Sequence, residues 1–215
     1  MKIGIELNNV VRNINKQIVK YYKKDINRGF DDEKVDLNVV DIMDYLEFPS
    51  KKAQRVFLFE DYPFEVYGSA PQMDKDLSVK INRFLVELAD EENPAKLSFF
   101  SLKEKGLSIQ SSYFFLSKIG SRIRETFFPK NASEVWENYD IVITTSEEIV
   151  KSKPKGKRVI LVEKSDNKDA IAYADMVIHS LDELFHDKGW VEIGEKQEHE
   201  AQTTWINRLK NKFFK

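Results

Sequence analysis

Few side chains in this sequence can do covalent or metal chemistry, and nearly all of them are oxygen groups. Cys is absent from the 215 residues, which excludes disulfide frameworks, thiolate nucleophiles and Cys-held metal ions. The three His residues, His179, His186 and His199, are too scattered for a His-built zinc site. What remains stands at the ends of apolar runs. Glu6 closes Ile3-Gly4-Ile5, and the polar pair Asn8-Asn9 follows it. Ser101 closes Leu97-Ser98-Phe99-Phe100, and Thr144-Thr145 close Ile141-Val142-Ile143, with Glu147-Glu148 just beyond. A carboxylate can attack an electrophile, exchange a proton or hold a hard cation, and hydroxyls can donate to an anion.

Each of these groups also has a plain structural use. Glu6 can be held by the amides of the Asn8-Asn9 turn, and Asn is itself a common turn residue. Ser101 can cap or turn a strand end. Thr144 and Thr145 are β-prone, and Glu147 and Glu148 suit the positive end of a helix. Lys118 reads as a solvated helix residue, and His179 and His186 as surface or loop residues.

The elements that must position them alternate. Lys2–Leu7 reads as a first buried strand. Val11, Ile14, Ile18 and Tyr22 then recur at helical spacing opposite Asn13, Lys16, Lys20 and Lys23. A continuous β-prone run, Val56 to Phe59 within Arg55–Glu60, reads as a strand, and Leu77, Ile81, Phe84, Leu85 and Leu88 as a helix that ends in the acidic stretch 90–94. From Leu97 on, the pattern predicts strand, helix to Ile119 with Gly120 as its cap, strand 123–128, helix 132–139, strand 140–145, short helix from Ser146, strand 159–162 and a last strand at Val177-Ile178. Strands alternating with helices predict an α/β fold with a parallel sheet and helices on both faces.

Composition narrows the class. With 41% hydrophobic residues the chain can build a core, so a largely disordered protein is excluded. Thirty-four Lys and Arg against 36 Asp and Glu leave a formal charge of −2, which gives no basic field for nucleic acid. No apolar run approaches the roughly 18 residues of a membrane span, and the N-terminus does not have the pattern of a signal peptide. The expectation is a soluble, cytoplasmic protein. The Lys-, Asn- and Ile-rich usage fits an AT-rich genome, bacterial or phage.

The order of these segments resembles the haloacid dehalogenase (HAD) superfamily, and within it the 5′(3′)-deoxyribonucleotidase-like branch. The stretch Glu6-Leu7-Asn8-Asn9-Val10 is similar to the family's Asp-x-Asp-x-Val. Ser101 matches its strand-end Ser or Thr, and Phe115-Leu116-Ser117-Lys118 a Phe-Leu-x-Lys helix segment. Asp140-Ile141-Val142-Ile143-Thr144-Thr145 matches a strand that closes on paired acids. Gly156-Lys157-Arg158-Val159 through Asn167, and Ala174-Asp175 to Leu184, match the closing strands.

The resemblance implies a HAD-like (Rossmannoid) core over 1–24 and 96–190 and a cap or insertion over 25–95, while the polar stretch after Trp190 and the helical spacing of Trp205, Leu209 and Phe213 predict a linker with a C-terminal amphipathic helix over 191–215. It places Glu6 at the nucleophile position and Asn8 at the acid/base position. Ser101 and Lys130 fall at the phosphate-binding positions, and Glu6, Thr144 and Thr145 at the Mg²⁺ positions. An amide exchanges no proton at neutral pH, Glu6 is a methylene longer than the family's Asp, and hydroxyls are poor ligands for a hard cation without carboxylates. The expectation is therefore a catalytically degenerate HAD-like protein without a cofactor, serving as an interaction, assembly or ligand-binding module. A protein partner or a second copy would engage the C-terminal helix 203–215 or the aromatic segment 57–67. The alternative is a Mg²⁺-dependent phosphatase or 5′-nucleotidase that uses Glu6 as nucleophile, with Glu147 or Glu148 supplying the missing metal ligands.

Overall fold

The computed structural model describes residues 1–89 and 95–185. Six strands form one parallel sheet in the order β3-β2-β1-β4-β5-β6. They are β1 (Lys2–Glu6), β2 (Lys96–Phe100), β3 (Thr126–Phe127), β4 (Ile141–Thr144), β5 (Arg158–Val162) and β6 (Met176–Ile178). The chain builds outward from β1 in one direction and then restarts at β4 in the other. The carboxyl ends of β1 and β4 therefore flank the switch point, the place where open α/β sheets usually take a ligand.

Helices cover both faces. On one, Ile3, Ile5, Leu97, Phe99, Ile141 and Ile143 pack against α3 (Leu77–Ala89) and α4 (Leu107–Lys118) through Leu77, Ile81, Phe84, Phe115 and Leu116. On the other, Phe100, Val142, Val159 and Leu161 pack against α5 (Ala132–Asn138) and α6 (Glu147–Lys151) through Val135, Trp136, Ile149 and Val150. Gly4 is required here, because a Cβ would come within 2.7 Å of the Tyr139 ring. The helix ends follow from side chains: Asn13 accepts from Lys16 N, Asn131 from Glu134 N and Ser146 from Ile149 N. Gly120, at φ +67°, ends α4 as its sequence predicts.

A second apolar cluster lies outside the sheet. Ile14, Ile18, Val19 and Tyr22 of α1 (Ile14–Asp25) pack with Val39, Ile42, Met43, Phe57, Val66 and Tyr67. The segment 39–67 thus packs on α1, while α3, although it falls within 25–95, belongs to the sheet core.

The strand expected at Arg55–Glu60 does not form. That stretch is helix α2 (Lys51–Val56), capped by Ser50, continuing into a π-helical turn over Phe57–Asp61, with a second over Phe64–Gly68. A short continuous apolar run fits a strand and a packed helix equally well. Here Phe57 is buried against Phe48 and Tyr62, in the cluster packed on α1. The strand expected over 123–128 pairs only at Thr126 and Phe127. The helix expected over 203–215 lies outside the described residues.

Candidate functional site

The first shared feature of the candidate residues is position. Glu6 ends β1, Ser101 follows β2, and Thr144 ends β4 with Thr145 directly after it, so three adjacent strands deliver them to one edge of the sheet. After Glu6 the chain turns sharply. Leu7 carbonyl accepts from Val11 N and Arg12 N, and Asn9 sits at φ +56°, a conformation Asn tolerates. The Asn9 amide is fixed there by donating to Asn15 Oδ1 and the Val40 carbonyl.

Glu6 is buried, and one of its oxygens is fully engaged. Oε2 accepts from Thr144 Oγ1 at 2.7 Å, Thr145 N at 2.9 Å and Thr145 Oγ1 at 3.2 Å. The donors thus come from the end of β4 and not from the Asn8-Asn9 turn, because the parallel register sets Ile5 beside Ile143 and carries both strand ends to the same level. Thr144 Oγ1 in turn accepts from Ser146 N at 2.9 Å, which ties the unit to the first turn of α6. Burial raises the Glu6 carboxyl above its usual range, although these donors and the Lys103 charge act against the rise.

Asn8 and Ser101 are held by a group that the sequence patterns did not single out. Arg12 is fully buried, and its five N–H donors are all used. Nε and one Nη donate to Asn8 Oδ1 at 2.9 and 2.8 Å. The other Nη donates to the Tyr67 carbonyl at 2.9 Å and to Ser112 Oγ at 2.8 Å, and the fifth donor pairs with Glu104. The guanidinium also lies over the rings of Tyr67 and Phe115. Ser101 Oγ donates to Glu104 Oε1, and Ser112 Oγ to Glu104 Oε2. One ion pair therefore joins Asn8 and Ser101 to α4 through Ser112 and to the Tyr67 carbonyl. No sequence pattern pointed to the pair, since its members lie 92 residues apart.

Lys130 stands apart from this group. Its side chain is exposed at the turn into α5, and its backbone N–H donates to Glu134. Glu147 pairs with Lys151, and Glu148 lies 3.9 Å from Lys103. Two cations act on the site instead. Lys103 carries its charge toward Glu6 from the loop after β2, and Lys164, nearly buried just past β5, shares in the field of Glu6, Asp74, Asp166 and Asp36. Burial holds the Lys164 ammonium below its usual range. Asn167 anchors that loop by donating to the carbonyls of Thr145 and Val162 and accepting from Lys164 N.

At the positions where the resemblance implies Mg²⁺, the donor set is one carboxylate and two hydroxyls, and both hydroxyls spend their protons on that carboxylate. Mg²⁺ asks for a near-octahedral shell of hard, largely anionic oxygens, so these residues do not fit it. Among the described residues, no cluster of three or more His, Asp or Glu side chains could hold a metal ion. No described helix is long and apolar enough to cross a membrane.

No family model matches the chain, and no curated protein matches it. Among solved structures it is similar to a haloacid dehalogenase-like hydrolase from Burkholderia xenovorans LB400. The TM-score is 0.54 over 88% of this chain and 97% of that one, at 11% identity. At that identity the likeness establishes the fold alone, which is α/β and HAD-like.

Proposed function

We propose that this chain is a HAD-fold protein that has lost phosphoryl transfer and serves as a binding and assembly module, with its motif order pointing to the deoxyribonucleotidase-like branch. The observation that carries this reading is the triple hydrogen bond into Glu6 Oε2. A carboxylate attacks through a lone pair, and donors fixed on one of its oxygens draw charge from both and make the anion a weaker nucleophile. Two further residues support the same reading. The Asn8 amide cannot protonate a leaving group, and its oxygen is already committed to Arg12. The Ser101 hydroxyl is committed to Glu104 and not free for a phosphoryl oxygen.

The reading as a Mg²⁺-dependent phosphatase draws no comparable support, since Glu147 faces Lys151 and Glu148 faces Lys103. The test is calorimetric titration of the purified chain with Mg²⁺, alone and with a generic phosphomonoester, followed by measurement of free phosphate. The module reading expects no saturable Mg²⁺ heat and no phosphate. A stoichiometric Mg²⁺ site with accompanying phosphate release overturns it.

A further inference from the structure

Helix α4 turns aromatic side chains to solvent. Its inward face carries Ser108, Ser111 and Ser112 beside Phe115 and Leu116, while Leu107, Tyr113 and Phe114 point outward and are 51%, 49% and 46% exposed. Elements on either side extend this face. On one side the Phe114 ring lies 4.7 Å from that of Phe64, itself 46% exposed. Gly68 permits the approach, because a Cβ there would press on Phe64, Phe114 and the Ser111 carbonyl. On the other side Ser121 N donates to the Leu116 carbonyl, and the Tyr113 ring lies 5.7 Å from that of Phe128. The stretch 121–128 is thus tied to α4 at both ends and carries the edge strand β3. Contiguous exposed aromatics of this kind mark an interaction surface.

The two flanks of the face differ in charge. Glu60 and Asp61, both exposed, and the half-buried Glu65 stand beside Phe64. Arg122 and Arg124, both exposed, stand on the stretch that leads to Phe128, and with Lys118 at the end of α4 they outnumber Glu125. We propose that a second copy of this chain covers the face, about a two-fold axis that crosses α4. An isologous interface opposes every point to its own rotated image, so such an axis sets each flank against the opposite flank of the other copy. The acidic flank then meets the basic one twice, and Tyr113 and Phe114 lie at the centre, where aromatic anchors contribute most. A face of one sign throughout would repel its own copy, whereas this one complements itself. The inference rests on the assembly part of the function proposed above, whose partner it names, and not on the loss of catalysis.

The test is the molar mass of the full-length chain by analytical ultracentrifugation over a dilution series, with phosphate release measured alongside. Three variants are compared with the wild type. Tyr113→Lys with Phe114→Lys charges the centre, Asp61→Lys with Glu65→Lys makes both flanks basic, and Arg122→Glu with Arg124→Glu makes both acidic. All six side chains lie outside the buried core, so folding is expected to persist, and circular dichroism checks it. A two-fold dimer predicts a wild-type mass that falls from dimer to monomer on dilution and a monomeric aromatic pair. In each charge-reversed pair the dissociation constant should rise about tenfold or more. Mixing the two charge-reversed proteins should restore the dimer, because basic flanks then meet acidic ones, and that recovery also shows that both are folded. A wild type that is monomeric at every concentration overturns the inference and leaves the loss of phosphoryl transfer standing. A dimer that all three variants keep, or a mixture that gains none, overturns it as well. Phosphate release overturns the loss of catalysis and leaves the dimer standing, so the two failures are told apart.

Discussion

Thr144 Oγ1 lies 2.7 Å from Glu6 Oε2, and this bond joins the ends of two neighbouring parallel strands at the switch point of the sheet. In a HAD-like fold that edge is where the resemblance places the reacting carboxylate and its metal. Here the carboxylate and the two Thr residues close on each other instead. The same exchange recurs next door, where Asn8 and Ser101 are taken up by Arg12 and Glu104. Two adjoining hydrogen-bonded units thus take up the side chains at the carboxyl ends of β1, β2 and β4.

Protonation of Glu6 gives the first prediction. Its carboxyl is raised above the ordinary glutamate value of 4.5, chiefly by burial. A group that binds its proton more tightly when folded contributes stability in full below the unfolded value and loses it as pH rises through the folded one. The stability of the wild type relative to Glu6→Gln should therefore grow as pH is lowered from neutral toward 4.5. Urea midpoints of both proteins across that range measure it. A difference that stays flat, or grows with rising pH, contradicts the burial argument.

The Arg12–Glu104 pair gives the second. Both side chains are buried, so Arg12→Met leaves a carboxylate without its partner, at a cost of about 3–5 kcal/mol in chemical denaturation. Replacing both by Met removes the stranded charge along with the pair, and the double variant should lose clearly less than the two single losses added together. Strict additivity would show that the two groups do not work as a unit.

A third prediction concerns β1. Gly4→Ala drives a methyl group into the Tyr139 ring, a cost of about 1–3 kcal/mol by overpacking. The same substitution made in a Tyr139→Leu background should cost less, since the obstructing ring is gone. An equal cost in both backgrounds would place the strain elsewhere.

Much of the sheet was legible because parallel strands buried on both faces read as apolar runs, and β1, β2, β4 and β5 each carry one. The segment 55–60 was not, because Val56-Phe57-Leu58-Phe59 has no period that separates a strand from a helix packed on a second cluster. At the site, the strand ends put Glu6, Ser101, Thr144 and Thr145 at one edge of the sheet, where Glu6 joins the two Thr residues and Ser101 turns to Glu104. The Arg12–Glu104 pair was hidden by its separation of 92 residues, since a lone Arg after a turn and a lone Glu in a loop look solvated in a sequence. Lys164 escaped for the same reason: only the fold brings its ammonium into the field of Glu6 and Asp74.

The measurement that bears most directly on the central claim is phosphate release in Mg²⁺ by the wild type and by Glu6→Gln, across deoxynucleoside monophosphates and a generic phosphomonoester. A carboxylate held by Thr144 and Thr145 as a structural group predicts the same background release from both proteins. Release by the wild type that disappears in a folded Glu6→Gln would make Glu6 a working nucleophile and contradict the account.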